Sequence, residues 1–583
     1  MTNKKFLSCL FASAALIGFI GCLSGCYDKK EDAQKSSSEP VKLSAYDATS
    51  INGLFLASQY ARIKQDYKLA GDFLEKISDR ADAPANMLQD TYTILAVEGR
   101  IKEASVYAQK ELTLKPKAFL ASLIVATELV KQEKYREAYD VLNKIPGISF
   151  NRYFLTVLKA WLLYGEGKGE EALRMLTALK NDKSFIAPYH FHRGLICDLL
   201  GKNKEAAESY EFVLGKNKEN SSIRASQVAI SFYRRTNHPD KVKEILEAYN
   251  KDAEKKAYAG QNFLLPEDDT RPINSAEQGF AETLLGMSAN LSLANSNEMA
   301  LILLKMALYL DTDLIVGKVL LAELFEQEDM PDKAIEVYQS IEKSSELYYS
   351  AQIRRVGLLN KLKRYPESIK LLQSLIKDFP DKVLPVIELG DTYRNQENYA
   401  KAAEVYTKAI NDINDTEKTP WTVYYSRGIA LERIGKWQEA EQDFLTALAK
   451  NPEDPFILNY LGYSWLEKGK NLTNAKNMIA KAIEKSPENG YIMDSFGWAF
   501  YLTEEYDRAV RILEIAAELE PGNSLINDHL GDAYWKVGRK REANFQWQKA
   551  LNFNFEITPT DISRIKFKLQ HGLDAWEKQE KSK

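Results

Sequence analysis

The chain has few of the side chains on which most enzymes and metal sites depend. Its 583 residues include only four cysteines and five histidines. The sequence contains no HExxH motif, no GxSxG elbow and no CxxC pair. His190 and His192 are two residues apart, so on a helix they would point to different sides. We therefore expect no catalytic centre, no metal site and no cofactor.

An excess of positive charge is also missing. Lys and Arg total 78 against 82 Asp and Glu, which gives a formal net charge of −4. A nucleic-acid surface needs a basic stripe to contact phosphates, and the sequence has no concentrated basic segment. The glycine-rich run GEGKGE at 165–170 lacks the spacing of a phosphate-binding loop and the Ser or Thr that follows its lysine. Binding of nucleic acids and nucleotides is therefore not expected.

What the sequence does contain is a repeat marked by glycines. Four of them, which we call the reference glycines, lie 34, 35 and 34 residues apart: Gly428, Gly462, Gly497 and Gly531. Alanines follow Gly428 and Gly497 at plus twelve and plus nineteen, and a proline follows each at plus twenty-four. Small residues let two helices approach closely, and proline ends the second helix. The pattern predicts a helical hairpin that is copied along the chain.

This pattern resembles the tetratricopeptide repeat (TPR), which has a 34-residue period and the same small and aromatic positions. Large residues recur one helical turn after the glycines, at Tyr393, Trp465, Phe500 and Tyr534. The resemblance is strongest over residues 384–555, and upstream the second-helix signature persists in runs such as KYREAYDVL and NKEAAESYEFVL. It implies an all-α protein, an α-solenoid of stacked hairpins forming a TPR superhelix, with roughly 13–14 units.

The N-terminus is typical of a secretory signal peptide over residues 1–25. Lys4 and Lys5 precede an apolar stretch, and the run LSGC ends at Cys26. This run resembles the bacterial lipobox, whose cysteine is lipidated on sulfur, and Cys22 is a second candidate. The alternatives are an ordinary cleaved signal and a retained N-terminal anchor. Tyr27 follows where an aspartate would resemble the inner-membrane retention signal. We expect a lipid anchor at the outer membrane, on its periplasmic face.

Cysteine usage agrees with this prediction. After cleavage only Cys26 and Cys197 remain, and a lipidated Cys26 leaves Cys197 without a partner. No intrachain disulfide is therefore expected, and Cys197 is predicted to be a small buried hydrophobic residue.

The rest of the chain divides at two breaks in the periodicity. The segment 251–276 interrupts the helical pattern with two prolines and is either a long loop or a partner-binding insert. The C-terminal segment has apolar residues at helical spacing, as expected for a capping helix. The predicted regions are a lipidated cysteine and disordered tether at 26–48, a divergent TPR-like array at 49–250, the interrupting loop at 251–276, a TPR array at 277–555, and a capping helix and tail at 556–583.

One face of the first helix in each repeat carries aromatic and acidic side chains. Positions minus three, plus one and plus four from each reference glycine share this face, which lines the concave side of a TPR array. Tyr and Trp are common anchors of protein interfaces. The predicted partner-binding groove consists of Tyr425, Asn459, Tyr463, Asp494, Trp498, Tyr501, Asp528, Asp532 and Trp535. The alternative is that these aromatic residues pack between neighbouring repeats.

The composition of this groove favours a neutral or basic polypeptide as its ligand. TPR domains that bind a terminal carboxylate use Lys, Arg and Asn on this face, and Arg394, Asn395 and Arg433 alone do not reproduce that set. Carboxylates can instead bind backbone amides or cationic side chains of an extended peptide.

The lipobox, the tether and C-terminal runs such as LGYSWLEKG and DSFGWAFYL together resemble TPR lipoproteins of Gram-negative outer membranes. Some members of that group hold a periplasmic carboxyl-terminal processing protease and deliver its substrates. The resemblance implies a non-enzymatic scaffold that binds periplasmic proteins. The second hypothesis is a structural component of an envelope export or assembly machine, for exopolysaccharide secretion or outer-membrane protein assembly.

Overall fold

The computed structural model describes residues 50–147, 150–215, 222–251, 264, 270–413, 415, 417–553 and 558–582. The predicted signal peptide and tether lie outside these residues, as does most of the predicted loop at 251–276. Thirty α-helices occupy the described part of the chain, and none of them is long and apolar enough to cross a membrane.

The chain divides into two compact units, and the division falls between Leu358 and Leu359, within helix α17. The first unit contains sixteen complete helices and most of α17. Its helices are α1 Ile51–Ile63, α2 Tyr67–Ser78, α3 Met87–Glu98, α4 Ile101–Leu114, α5 Phe119–Lys131, α6 Tyr135–Asn143, α7 Phe150–Gly165, α8 Gly169–Leu176, α9 Ile186–Leu199, α10 Asn203–Leu214, α11 Ile223–Arg235, α12 Pro239–Lys251, α13 Ala276–Leu293, α14 Asn297–Leu310, α15 Ile315–Gln327, α16 Pro331–Gln339 and α17 Tyr348–Lys361.

The second unit begins at the end of α17 and carries the reference glycines. Its helices are α18 Tyr365–Asp378, α19 Leu384–Asn395, α20 Tyr399–Ile413, α21 Trp421–Arg433, α22 Trp437–Lys450, α23 Pro455–Glu467, α24 Leu472–Lys485, α25 Gly490–Leu502, α26 Tyr506–Leu519, α27 Ser524–Lys536, α28 Lys540–Asn552, α29 Pro559–His571 and α30 Leu573–Lys581.

Consecutive helices pair as hairpins within each unit, eight pairs from α1–α2 to α15–α16 in the first and five from α19–α20 to α27–α28 in the second. In the second unit these pairs are followed by α29, which packs on α28, and by α30, which packs on α29. The predicted fold class is confirmed: the chain is all-α, built from TPR hairpins, and their number agrees with the 13–14 units expected.

The reference glycines lie where the two helices of a hairpin come closest. A Cβ atom at Gly428 would lie 2.7 Å from the ring of Phe444, and one at Gly531 would lie 2.5 Å from the ring of Trp547. Ala440, on the facing helix, is fully buried. A methyl group at either glycine would push the helices apart, so the small residue is required by packing.

Two further positions of the repeat determine where the helices begin and turn. Eight residues before Gly462, Gly497 and Gly531, an Asp or Asn side chain accepts a hydrogen bond from a backbone N–H group of the first turn, as Asp454 does from Phe456 at 2.9 Å. Seven residues after it, the turn between the helices has positive φ, +79° at Gly435 and +63° at Glu504. The turn therefore favours glycine but does not demand it.

In the first unit a later hairpin folds back onto earlier ones. Hairpin α13–α14 packs against the first helices α3, α5 and α7. Gly279 of α13 lies directly on the ring of Trp161. The Tyr309 hydroxyl donates to Glu128 at 2.7 Å, and Lys131 pairs with Glu277 at 2.9 Å. The chain itself thus covers the first-helix face of these early repeats.

Cys197 lies in α9 of the same unit, and it is free and buried as predicted. Burial raises the pKa of its thiol to about 11. The thiolate is therefore scarce at neutral pH, which agrees with a packing role.

Candidate partner-binding face

The first helices of the second unit, α19, α21, α23, α25 and α27, present one common surface, which we call the inner face. All nine predicted groove residues lie on four of these helices, at the offsets expected from the glycines. Tyr425 is on α21, and Asn459 and Tyr463 are on α23. The remaining residues are Asp494, Trp498 and Tyr501 on α25, and Asp528, Asp532 and Trp535 on α27.

Helix α29 covers the carboxylates of α27. The Lys568 ammonium lies 2.8 Å from Asp528 and 2.7 Å from Asp532, and its side chain is 1% exposed. Arg564, one turn earlier, pairs with Asp528 at 3.0 Å. The Trp547 indole N–H also donates to Asp532 at 2.9 Å. Cationic side chains at an i, i+4 spacing therefore neutralise carboxylates at the same spacing on the facing helix.

Helix α30 covers the aromatic part of the same surface. The Trp535 indole N–H donates to Asp574 at 3.1 Å, and the Tyr501 hydroxyl donates to Glu577 at 3.4 Å. A Cβ atom at Gly572, between α29 and α30, would lie 2.5 Å from the Trp535 ring. The inner face of α25 and α27 is thus bound by the chain's own C-terminus.

Two more predicted residues are held by a buried histidine of α27. The ring of His529 lies 3.0 Å from the Asp494 carboxylate and stacks on Trp498 with 3.9 Å between ring centroids. Burial lowers the pKa of His529, but Asp494 together with Asp528 and Asp532 raises it, and the net pKa lies above its ordinary value. Trp498 also stacks on Tyr501 at 4.3 Å. These side chains pack between neighbouring repeats.

The carboxylate of Asp532 is strongly affected by its surroundings. Burial raises its pKa to about 6, while the charge of Lys568 opposes that change. Asp528 repels a second negative charge here and raises the pKa further. The cluster therefore depends on its lysine to keep Asp532 ionised at neutral pH.

The upstream part of the inner face, on α19, α21 and α23, has a different character. Tyr425 and Tyr463 are half-buried, and Tyr425 makes an edge contact with Tyr460 at 5.9 Å between ring centroids. The side-chain oxygen of Asn459 is buried and has no hydrogen-bond partner in the described part of the chain. A buried amide oxygen without a partner is rare and costs free energy.

Glu388, on α19, lies three residues before Asp391, the plus-one position of the inner face, and the sequence pattern missed it. It is half-buried, and burial together with Asp391 raises its pKa to about 7. No ion pair of Glu388 occurs among the described residues. It lies two residues before Gly390, so it falls outside the minus three, plus one and plus four stripe.

The comparisons with known proteins identify the repeat. Models of the tetratricopeptide repeat match residues 358–416 and 421–454, so the chain is a TPR repeat protein. A TPR repeat-containing protein of Pseudomonas aeruginosa is 23% identical over 213 residues, which are 36% of this chain and 35% of that protein. Anaphase-promoting complex subunit 6 of Arabidopsis thaliana is 24% identical over 260 residues, 43% of this chain and 46% of that protein. The chain thus spans less than half the length of either relative.

A solved structure also resembles the chain along most of its length. The crystal structure of the APC/C hetero-tetramer Cut9–Hcn1 covers 90% of this chain and 97% of its own, with 16% identity and a TM-score of 0.37.

Proposed function

We propose that this TPR repeat protein is a non-enzymatic adaptor, held at the periplasmic face of the outer membrane by lipid on Cys26, that binds polypeptide partners on the inner face of its second unit. TPR repeats are protein-interaction scaffolds, and the anchor, the compartment and the partner are the new parts of this statement. The observation that carries it is the upstream inner face, where an aromatic surface contains the unsatisfied Asn459 oxygen and the unpaired Glu388 carboxylate lies on the same helix as Asp391 of that face.

The C-terminal helices support the choice of a basic polypeptide. Arg564 and Lys568 of α29 bind the carboxylates of α27, and Trp535 donates to α30. A helical segment with cations on one side is therefore a ligand that this type of surface accepts. The upstream face offers Glu388 to a cation and the Asn459 oxygen to an N–H donor, so a partner with the same chemistry would satisfy both.

The anchor supports a role close to the membrane. The proposed lipidated Cys26 is followed by a polar segment that ends at residue 48. A flexible chain of this length has a root-mean-square reach of roughly 25 Å, so the repeats would work near the inner surface of the outer membrane. A carboxyl-terminal processing protease and its substrates are the partners that the resemblance to TPR lipoproteins suggests.

Capture from membranes tests this function. The Tyr463→Ala variant should lose its partners, whereas Leu445→Ala, which removes an exposed side chain of α22, should keep them. Because Tyr463 is half-buried, Glu388→Lys serves as a second variant that reverses charge at the same face without removing an aromatic ring. Partner capture that survives both changes would refute binding at the upstream inner face.

The identity of the captured proteins separates the two hypotheses. A soluble protease together with cell-wall hydrolases would support the adaptor, whereas β-barrel or polysaccharide-export proteins would indicate the envelope machine. The anchor is tested by Cys26→Ser, which should move the protein into the soluble periplasmic fraction. Membrane retention unchanged by this substitution would refute lipidation at Cys26.

A further inference from the structure

A row of exposed apolar side chains lies at the beginning of three neighbouring first helices. Phe456 on α23 and Tyr491 on α25 are each 52% exposed, and Leu525 on α27 is 48% exposed. Each is six residues before its reference glycine, so the row repeats with the hairpins. Helix α25 contacts both α23 and α27, which makes the three positions adjacent. We call this row the edge ladder; it shares no residue with the nine-residue groove.

An open cleft lies beside the central member of the edge ladder. Its volume is about 450 Å³, and its lining residues are Ser486, Pro487, Glu488, Asn489, Tyr491 and Glu520. Gly490 leaves room for the Glu520 side chain at the cleft, because a Cβ atom at Gly490 would collide with Cγ of Glu520. The Asn489 side chain is already engaged, since it accepts the N–H of Ile492 at 3.1 Å as the cap of α25.

The cleft carries negative charge that nothing in the described part of the chain neutralises. Glu488 and Glu520 form no ion pair there, unlike nearby Glu453, whose carboxylate lies 2.7 Å from Lys485. Two carboxylates beside an exposed tyrosine ring suit a cation, because the ring face attracts positive charge and the carboxylates form charge-assisted hydrogen bonds. The same groups would repel phosphate or a terminal carboxylate.

The distances between neighbouring helices limit the shape of the ligand. Packed helices lie roughly 8–10 Å apart, and a chain in the extended polyproline II conformation advances about 3.1 Å per residue and turns every third side chain to the same side. A segment that runs along the edge ladder therefore moves from one hairpin to the next in about three residues. In such a segment, one side chain would lie over the cleft beside Tyr491. The side chains about three residues before and after it would lie over Phe456 and Leu525.

We propose that the edge ladder binds an extended polypeptide segment whose lysine or arginine enters the cleft, with apolar side chains about three residues to either side that pack on Phe456 and Leu525. The apolar row alone would accept many partners, and the unpaired Glu488 and Glu520 select a basic one. The edge ladder is separate from the upstream inner face. A partner bound at the upstream inner face can therefore also contact the edge ladder.

Fluorescence anisotropy with the full-length protein tests the proposal. The probe is a fluorescein-labelled heptapeptide with leucine at both ends, arginine in the middle and pairs of serine between them. Its neutral counterpart has citrulline in place of arginine. The arginine probe should bind about tenfold more tightly than the citrulline probe. In Glu488→Gln/Glu520→Gln protein that difference should disappear.

The aromatic contact has its own matched pair of variants. Tyr491→Ala should weaken binding of the arginine probe about fivefold or more, whereas Phe545→Ala, which removes a 63% exposed ring of α28 outside the ladder, should leave it unchanged. Circular dichroism should show an unaltered fold in both, because each ring is exposed. Equal binding of the two probes, or no saturable binding up to about 1 mM, would overturn the proposal. Neither result bears on partner capture through Tyr463.

Discussion

Replacing Lys568 by methionine tests whether charge holds α29 on the inner face. Methionine retains much of the length of the side chain but removes the ammonium group that lies within 2.8 Å of both Asp528 and Asp532. Arg564 remains as a cation, and it reaches Asp528 at 3.0 Å. The variant therefore leaves Asp532 buried without its ionic partner.

The expected loss is large for a single substitution. Removing one member of a buried ion pair costs about 3–5 kcal/mol, because the remaining charge is left without compensation. The Trp547 indole still donates to Asp532, so we expect the lower end of that range, about 3 kcal/mol. That free energy corresponds to a change of roughly 150-fold in an equilibrium constant.

The loss should depend on pH in a direction that the structure determines. Burial raises the pKa of Asp532 from 3.8 to about 6, so the folded protein binds this proton more tightly than the unfolded chain. The stabilisation that the protonated Asp532 contributes to folding is therefore fully present below pH 3.8, the pKa of the unfolded chain. It is lost as the pH rises through about 6, the pKa in the folded protein. The charge of Lys568 lowers this pKa, so its removal moves the folded value further upward. The loss of folding stability in Lys568→Met, relative to the unsubstituted protein, should therefore be small at pH 5 and large at pH 8.

Hydrogen exchange followed by mass spectrometry is the suitable assay, because the repeats unfold locally and a single global transition is not expected. Amides of α27 to α29 should exchange roughly 150-fold faster in Lys568→Met at pH 8, after correction for intrinsic rates. Lys566→Met is the matched control, since Lys566 is an exposed residue of the same helix. Exchange equal to that control, or a deficit of the same size at pH 5 and pH 8, would refute the ionic explanation.

The remaining predictions concern packing, turn geometry and the buried thiol. Gly428→Ala should lower the stability of its hairpin by about 1–3 kcal/mol in hydrogen exchange, because its methyl group would press on Phe444. Gly357→Ala, where a Cβ atom would meet nothing within 4 Å, should raise local stability by about 0.5–1 kcal/mol in the same assay, and equal effects would contradict the packing argument. Glu504→Gly should stabilise its hairpin by about 0.5 kcal/mol because φ there is +63°, and a loss would mean that the turn is unstrained. Cys197 should react with a thiol reagent at pH 8 only after denaturant is added, as identified by mass spectrometry; rapid reaction of the native protein would contradict its burial.

The hairpins were predictable because their packing is local. Gly428 and Phe444 are sixteen residues apart, and their contact recurs at the same offset between Gly531 and Trp547. A contact of this kind leaves a periodic trace in the sequence, so helices, turns and the inner face could be assigned from spacing alone. The burial of Cys197 followed from the same register, three residues after Gly194.

The long-range contacts were not predictable from the repeat. Lys568 and Asp532 are 36 residues apart, and Tyr309 and Glu128 are 181 residues apart, outside any one repeat. The position of a residue on the inner face says nothing about which other segment covers it. One signal was present, because Arg564 and Lys568 are four residues apart and so are the carboxylates that they bind. Matching charges at the same helical spacing indicate two helix faces that fit together.

The self-covered surfaces determine where a partner can bind. Hairpin α13–α14 covers first helices of the first unit, and α29 and α30 cover α25 and α27 of the second. Beneath α29, Lys568 pairs with Asp528 and Asp532, so a partner that displaced this helix would have to replace buried ion pairs and would gain little. Glu388 and Asn459 differ, because in the described part of the chain Glu388 has no ion pair and the Asn459 side-chain oxygen has no hydrogen-bond partner. A ligand that supplied a cation and an N–H donor there would gain free energy without displacing existing bonds, and for that reason we place partner binding on α19, α21 and α23.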